Sequence, residues 1–201
     1  ASIKPQQVHN IANVFDGTAK ELLDKYDERG ETNKLIKKLG LENSLEQRLN
    51  ELGIPLPPPV IVPEGLHLPF SFINIKGNRV FISGHPRHSN EGKIDGPYGK
   101  VGKELTMDQA NVAAKEIAIS VLSNLKKEIG ELSRVTGWCR VFGMVNSTPD
   151  FSDQHLVING FSDFIVDVFG NAIGKHTRSA IGVSGLPMNF AIEIEGELEI
   201  E

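Results

Sequence analysis

From Phe190 to Ile200 the chain alternates without interruption: Phe190, Ile192, Ile194, Gly196, Leu198 and Ile200 on one set of positions, Ala191, Glu193, Glu195, Glu197 and Glu199 on the other. A period of two belongs to an extended strand, and here it gives one apolar and one acidic face. Such a strand needs a pairing strand and a cover for its apolar side. Upstream segments supply both. FSFINI and RVFISG flank Lys76-Gly77-Asn78, residues that tolerate the backbone angles of a tight reversal, so they read as a hairpin. VTGWCRVFGMV reads as another strand. Thr106 and Gln109 have capping-box spacing at the head of a helix with Asp108 in its first turn. Ala110, Ala114, Ile117, Val121, Leu125 and Ile129 give that helix one apolar stripe, and Lys126, Lys127 and Gly130 suit its end. A second helix is predicted to start at Pro149, to bury Val157, Phe161, Phe164 and Val168, and to end at Gly170. Strand, strand, helix, strand, helix, strand, strand is the order of an α+β domain with both helices on one sheet face.

The front of the chain has a different texture. Residues 1–50 are polar, with helical patches AKELLDKYDE, TNKLIKKL and SLEQRLNEL, the last opened by Ser44 and Gln47 at capping-box spacing. IPLPPPVIVPEG then carries five of the eleven prolines, which can neither continue a helix nor donate to a ladder. The expected division is an N-terminal helical extension at 1–55, a proline-rich linker at 56–67 and the main domain at 68–201. HPRHSNEGKIDGPYGKVGKE has no usable period and reads as a loop, mobile or covering a cleft.

Several function classes lose weight. A net charge of -5 disfavours a nonspecific nucleic-acid binder. No apolar run approaches the roughly 18 residues of a membrane span, and the N-terminus lacks a signal-peptide core, which predicts a soluble, cytoplasmic protein. There is no phosphate-cradling loop, HExxH or GxSxG motif. The lone Cys139 offers neither a disulfide nor a thiolate metal site and reads as a buried structural thiol. Among the six histidines only His85 and His88 lie close together, in a glycine-rich stretch where they read as exposed loop residues, and no metal is expected.

HTRSAIGVSGLPMNFAIEIE at 176–195 resembles the C-terminal signature of the Rid family of reactive-intermediate deaminases, also called YjgF or endoribonuclease L-PSP: an arginine-serine pair, a short strand, Leu-Pro and a final Ile-Glu-Ile-Glu strand. GNRVFISG at 77–84 is similar to the family's second strand, and ELSRVTGWCRVFGMVNSTPDF at 131–151 to the segment leading into its second helix. The resemblance runs from about Leu68 to the end. It implies a chorismate-mutase-like fold, a mixed six-stranded-type sheet with two helices on one face, and homotrimers with clefts between subunits.

The resemblance also implies a site without metal or cofactor. Arg178 falls on the arginine that binds the substrate carboxylate, for which a planar guanidinium offers a two-donor fork. Glu193 falls on the glutamate that positions or activates the hydrolytic water. Gly84 matches a glycine at the cleft wall, and Asn159 an asparagine of the second helix. Phe70 stands where the deaminases often carry tyrosine, His85 where glutamine is common, and Ala180 where cysteine is familiar. The substrate-binding set is therefore Phe70, Gly84, His85, Asn159 and Ala180, with Arg178 and Glu193 as the catalytic pair. The implied activity is hydrolysis of enamines or imines, of the 2-iminobutanoate and 2-iminopropanoate type, to 2-oxo acids and ammonia. A carboxylate-binding regulatory protein of the same fold is the alternative, favoured by Phe70, and a ribonuclease or translation inhibitor the third. The expected partners are a small carboxylate and copies of the same chain, with no membrane and no nucleic acid.

Overall fold

The structure is a computed structural model that describes residues 45–62, 64–65 and 67–201. Helix α1 spans Leu45–Glu51, hairpin strands β1 and β2 span Ile73–Lys76 and Arg79–His85, and helix α2 spans Met107–Ile129. Strand β3 (Val135–Asn146), helix α3 (Gln154–Gly174), β4 (Thr177–Val183) and β5 (Ile192–Ile200) complete the core. The five strands form one mixed sheet in the order β1-β2-β5-β3-β4. The fold is α+β as expected, with five strands rather than six among the described residues. β3 and β4 run parallel because α3 carries the chain back between them; the other pairs are antiparallel.

Local chemistry explains the elements. Gly77 takes φ 64 at the first central position of the two-residue hairpin turn, a place only glycine fills without strain. Both halves of the Thr106 capping box are made: the Gln109 amide donates to Thr106 Oγ1 at 3.2 Å, and the Thr106 amide donates to Gln109 Oε1 at 3.0 Å. Gly130 ends α2 with φ 83. α3 begins at Gln154, five residues beyond Pro149, and Asp153 caps it without a side-chain hydrogen bond. Gly170 breaks the helical geometry where an end was predicted, and one further turn runs on to Gly174.

The apolar stripes of both helices meet one face of the sheet. Val80, Ile82, Val141, Val145, Ile194 and Leu198 from the strands pack with Ile117, Val121, Leu125, Val157, Phe161, Phe164 and Val168. By length and mean hydropathy, 21 residues at 1.4 over its window, α3 passes for a membrane span, contrary to the reading that no run comes near one. Val157, Ile158, Phe161, Phe164, Ile165, Val168 and Phe169 are instead buried in this core, while Leu156 is exposed. Gly143 of β3 is required here, since a Cβ would lie 2.5 Å from the Ile158 side chain.

The compact unit starts at Leu45, ahead of the boundary expected near residue 55. Leu49 of α1 is buried to 2% exposure in the common core, with Leu45, Ile54 and Leu56 packed beside it. The proline-rich segment is a strap on α2: Ser123 Oγ donates to the Pro57 carbonyl (2.6 Å), and the Val60 amide donates to Asn124 Oδ1 (2.8 Å). Proline supplies acceptors without needing a donor partner, which suits an extended segment lying on a helix. The two earlier helical patches and the Ser44 cap lie outside the described residues.

Candidate functional site

Strand register divides the expected site residues between the two sheet faces. Beyond the bulge that follows Trp138, the odd positions of β3 from Val141 onward point to the helices, as Gly143 against Ile158 shows. Arg178 pairs with Val141 and Ala180 with Gly143, so both face the helices. Glu193 pairs with Met144, one step out of phase, and faces away from them. Within one chain Arg178 and Glu193 therefore stand on opposite sides of the sheet.

On the helix side, Arg178 is half-buried at the outer strand. Its Nη1 donates to Asn159 Oδ1 at 2.9 Å and to Ser162 Oγ at 3.0 Å, and Nη2 donates to the His155 carbonyl at 3.3 Å. All three acceptors are neutral and come from α3. Nε–H and one Nη2–H have no acceptor among the described residues, which leaves two donors for an incoming anion. Partial burial lowers the Arg178 pKa from its usual value, with Asp163 acting in the opposite sense, and a guanidinium remains charged throughout the physiological range.

On the open face, Glu193 is half-buried, and that burial, with Glu195 nearby, raises its carboxyl above the usual range. Gly84 lies against it. A Cβ there would meet Glu193 Oε1 at 3.4 Å, an ordinary contact, so the carboxylate lies directly over the β2 backbone at Gly84. The row of glutamates is not simply a solvated face: Glu193, Glu195 and Glu197 are each partly buried, and Glu197 pairs with Arg79.

Phe70 is half exposed and packs edge-to-face on Phe72 with ring centroids 5.6 Å apart. His85 belongs to neither cluster. Its ring is 1% exposed, Nδ1 donates to the Ser83 carbonyl at 2.7 Å, and Nε2 accepts from Asn124 Nδ2 at 3.0 Å. Burial lowers its pKa to about 4. His88 is also buried rather than exposed, and no group that could hold a metal occurs among the described residues. Cys139 is partly exposed, not buried, and burial still raises its pKa. The glycine-rich loop is tied to α2 by Arg87, which pairs with Asp95 inside the loop and with Glu116 at 2.9 Å.

Two residues with a place in the Arg178 cluster escaped the sequence reading. Ser162 lies three positions after Asn159 on the same helix face, and His176 lies just ahead of β4, two positions before Arg178. Both spacings are legible in the sequence once Arg178 is taken as the centre. A cavity of about 390 Å³ opens on the outer sheet face among Phe81, Ser83, Arg140, Phe142, Glu195 and Glu197; a larger one, about 620 Å³, lies against α1 and the proline strap. Neither includes Arg178.

No family model matches the chain. The protein TCP17 of Trypanosoma cruzi is 38% identical over 102 residues, 51% of this chain and 64% of that protein, so the match stops short of two thirds of its length. The solved structure of Atu1372 from Agrobacterium tumefaciens, whose function is unknown, is 35% identical; 81% of this chain covers 97% of it with a TM-score of 0.69. A Shewanella oneidensis protein provisionally named an endoribonuclease is 26% identical, with 79% of this chain covering all of it, also at a TM-score of 0.69.

Proposed function

Since the chain belongs to the Rid (YjgF, endoribonuclease L-PSP) family, we propose that it hydrolyses enamine and imine intermediates to 2-oxo acids and ammonia, with the ligand carboxylate held by Arg178. The observation that carries this reading is the condition of Arg178. Its guanidinium is fixed by three neutral acceptors, makes no ion pair among the described residues, and keeps two donors unused. A partly dehydrated cation that makes no ion pair, with the Asp163 carboxylate acting on it only from beyond contact, is a site for an anion, and a carboxylate matches its two remaining donors.

The chemistry needs little else. An enamine takes a proton on carbon to become the iminium ion, which is the imine once an N–H proton has left. Water then adds to the imine carbon, giving up a proton as the C–O bond forms. The nitrogen gains protons and leaves as ammonia when the carbonyl forms. Glu193, with its raised pKa, suits the transfer of the proton from water to nitrogen. Because it faces away from Arg178, it reaches the ligand from a second copy of the chain. Arg178, Asn159 and Ala180 of one copy then close a cleft with Glu193 and Gly84 of the next, as in a cyclic homotrimer. Such an enzyme suits the cytoplasm, where enzymes using pyridoxal phosphate release these intermediates.

Phe70 supports a second reading, a carboxylate-binding regulatory protein, because it has no hydroxyl to offer a substrate. The ribonuclease reading suggested by the Shewanella relative's name is opposed by the net charge of -5. Ammonia release from freshly generated 2-aminoacrylate separates the first two: acceleration by the wild-type chain supports the enzyme, and binding of 2-oxo acids without acceleration supports the regulator. Light scattering that finds a monomer at micromolar concentration would rule out the shared site.

A further inference from the structure

Resting on the carboxylate-anchor reading of Arg178, we propose that Ser162 and His176 are positioning residues, which orient the guanidinium through a directional relay of hydrogen bonds. The direction follows from hydrogen-bond arithmetic. The Gly174 carbonyl lies 2.7 Å from His176 Nδ1 and can only accept, so Nδ1 carries the ring proton. Nε2 of the neutral ring is then an acceptor, and it lies 3.0 Å from Ser162 Oγ. The single Ser162 hydroxyl proton goes to Nε2, which leaves the oxygen lone pairs facing Arg178 Nη1, also 3.0 Å away.

Each end of the relay is anchored. The His176 ring packs against Trp138, with centroids 6.3 Å apart, and Trp138 is itself 4% exposed beside Phe161 and Phe169. At the other end Asn159 Oδ1 takes the second Nη1 hydrogen. With both hydrogens of Nη1 engaged, rotation of the guanidinium plane would break two bonds, and the edge bearing Nε–H stays turned to the ligand. A helical serine without such an acceptor turns its hydroxyl back to the carbonyl four residues earlier. His176 prevents this. The relay pre-orders a side chain that would otherwise lose rotamer freedom when the ligand binds.

The test is calorimetric titration of the full chain with 2-oxobutanoate, beside thermal unfolding of each variant. Ser162→Ala and His176→Phe should each weaken binding by about three- to tenfold, the size of one lost hydrogen bond, with little change in melting temperature. Ser162→Thr restores the hydroxyl and His176→Gln restores an acceptor, so both should recover most of the affinity. Wild-type affinity in Ser162→Ala and His176→Phe, alongside lost binding in Arg178→Ala, would overturn the relay and leave the anchor standing. Wild-type affinity in Arg178→Ala would overturn the anchor itself. A nitrogen-15 spectrum of the wild-type ring decides the point independently of how any variant folds: the Nδ1–H tautomer at neutral pH is expected, and the Nε2–H tautomer would overturn the relay.

Discussion

Acidifying the protein should destabilise it through His85, by an amount that can be worked from its surroundings. The ring is 1% exposed and uses both nitrogens in the neutral form, with Nδ1–H on the Ser83 carbonyl and Nε2 accepting from Asn124. Its pKa falls from 6.5 to about 4, first through burial and then against the opposing Ser83 hydrogen bond, with His88 adding a small lowering. A group whose folded pKa is depressed in this way binds its proton more readily when unfolded. The stabilisation is therefore complete above the unfolded pKa of 6.5 and is lost as pH falls toward about 4. At 1.36 kcal/mol per unit the total is about 3 kcal/mol, of which roughly 2.5 kcal/mol is gone by about pH 4.5. Protonation also sets Nε2–H against the Asn124 amide. If that amide turns over to accept, the Val60 amide loses its own acceptor and the proline strap loosens. Urea unfolding of wild type and His85→Gln across about pH 4.5 to 8 isolates the effect, since glutamine keeps polar atoms in place and cannot take the charge. Between those limits wild type should lose roughly 2.5 kcal/mol more than the variant. Parallel curves would refute the argument. Both His88 and His176 have pKa values lowered by burial and act in the same direction in the two proteins, so they cancel in the comparison.

Arg178→Ala should lower kcat/KM for imine hydrolysis by roughly 2–5 kcal/mol of transition-state binding, with a nearly unchanged melting temperature, and Arg178→Lys should recover only part. Steady-state kinetics with generated 2-aminoacrylate checks this. Glu193→Gln should keep 2-oxo acid binding while slowing turnover, and the wild-type limb of the pH–rate profile set by this raised carboxyl should disappear from the variant. Removing residues 1–44 should leave a cooperative calorimetric transition, because the compact unit begins at Leu45. Leu49→Ala in the same background should cost about 2–5 kcal/mol, which a cut near residue 55 would also lose.

Much of this architecture is written in short-range patterns. The alternation of residues 190–200, the Gly77-Asn78 reversal and the Thr106–Gln109 box each depend on a few neighbouring residues, and each is found where its pattern lies. What the sequence hides is set by distance along the chain. His85 is an apparent loop residue until Asn124, 39 positions away, accounts for its second nitrogen. The proline strap looks like an appendage because the α2 surface it covers lies more than sixty residues downstream. The separation of Arg178 from Glu193 follows from strand phase: their partners in β3, Val141 and Met144, are an odd number of residues apart, which cannot be known before the register is. Ser162 and His176 have legible spacings to Asn159 and Arg178, but nothing marks them as partners of the guanidinium until β4 is laid against α3.

A crystal of the full chain soaked with 2-oxobutanoate tests the anchor most directly. The carboxylate is expected within hydrogen-bonding distance of Arg178 Nε and Nη2, with Asn159 and Ser162 still on Nη1 and Glu193 of a neighbouring copy facing the keto carbon. A 2-oxo acid bound elsewhere, with the Arg178 guanidinium turned away from it, would contradict the assignment.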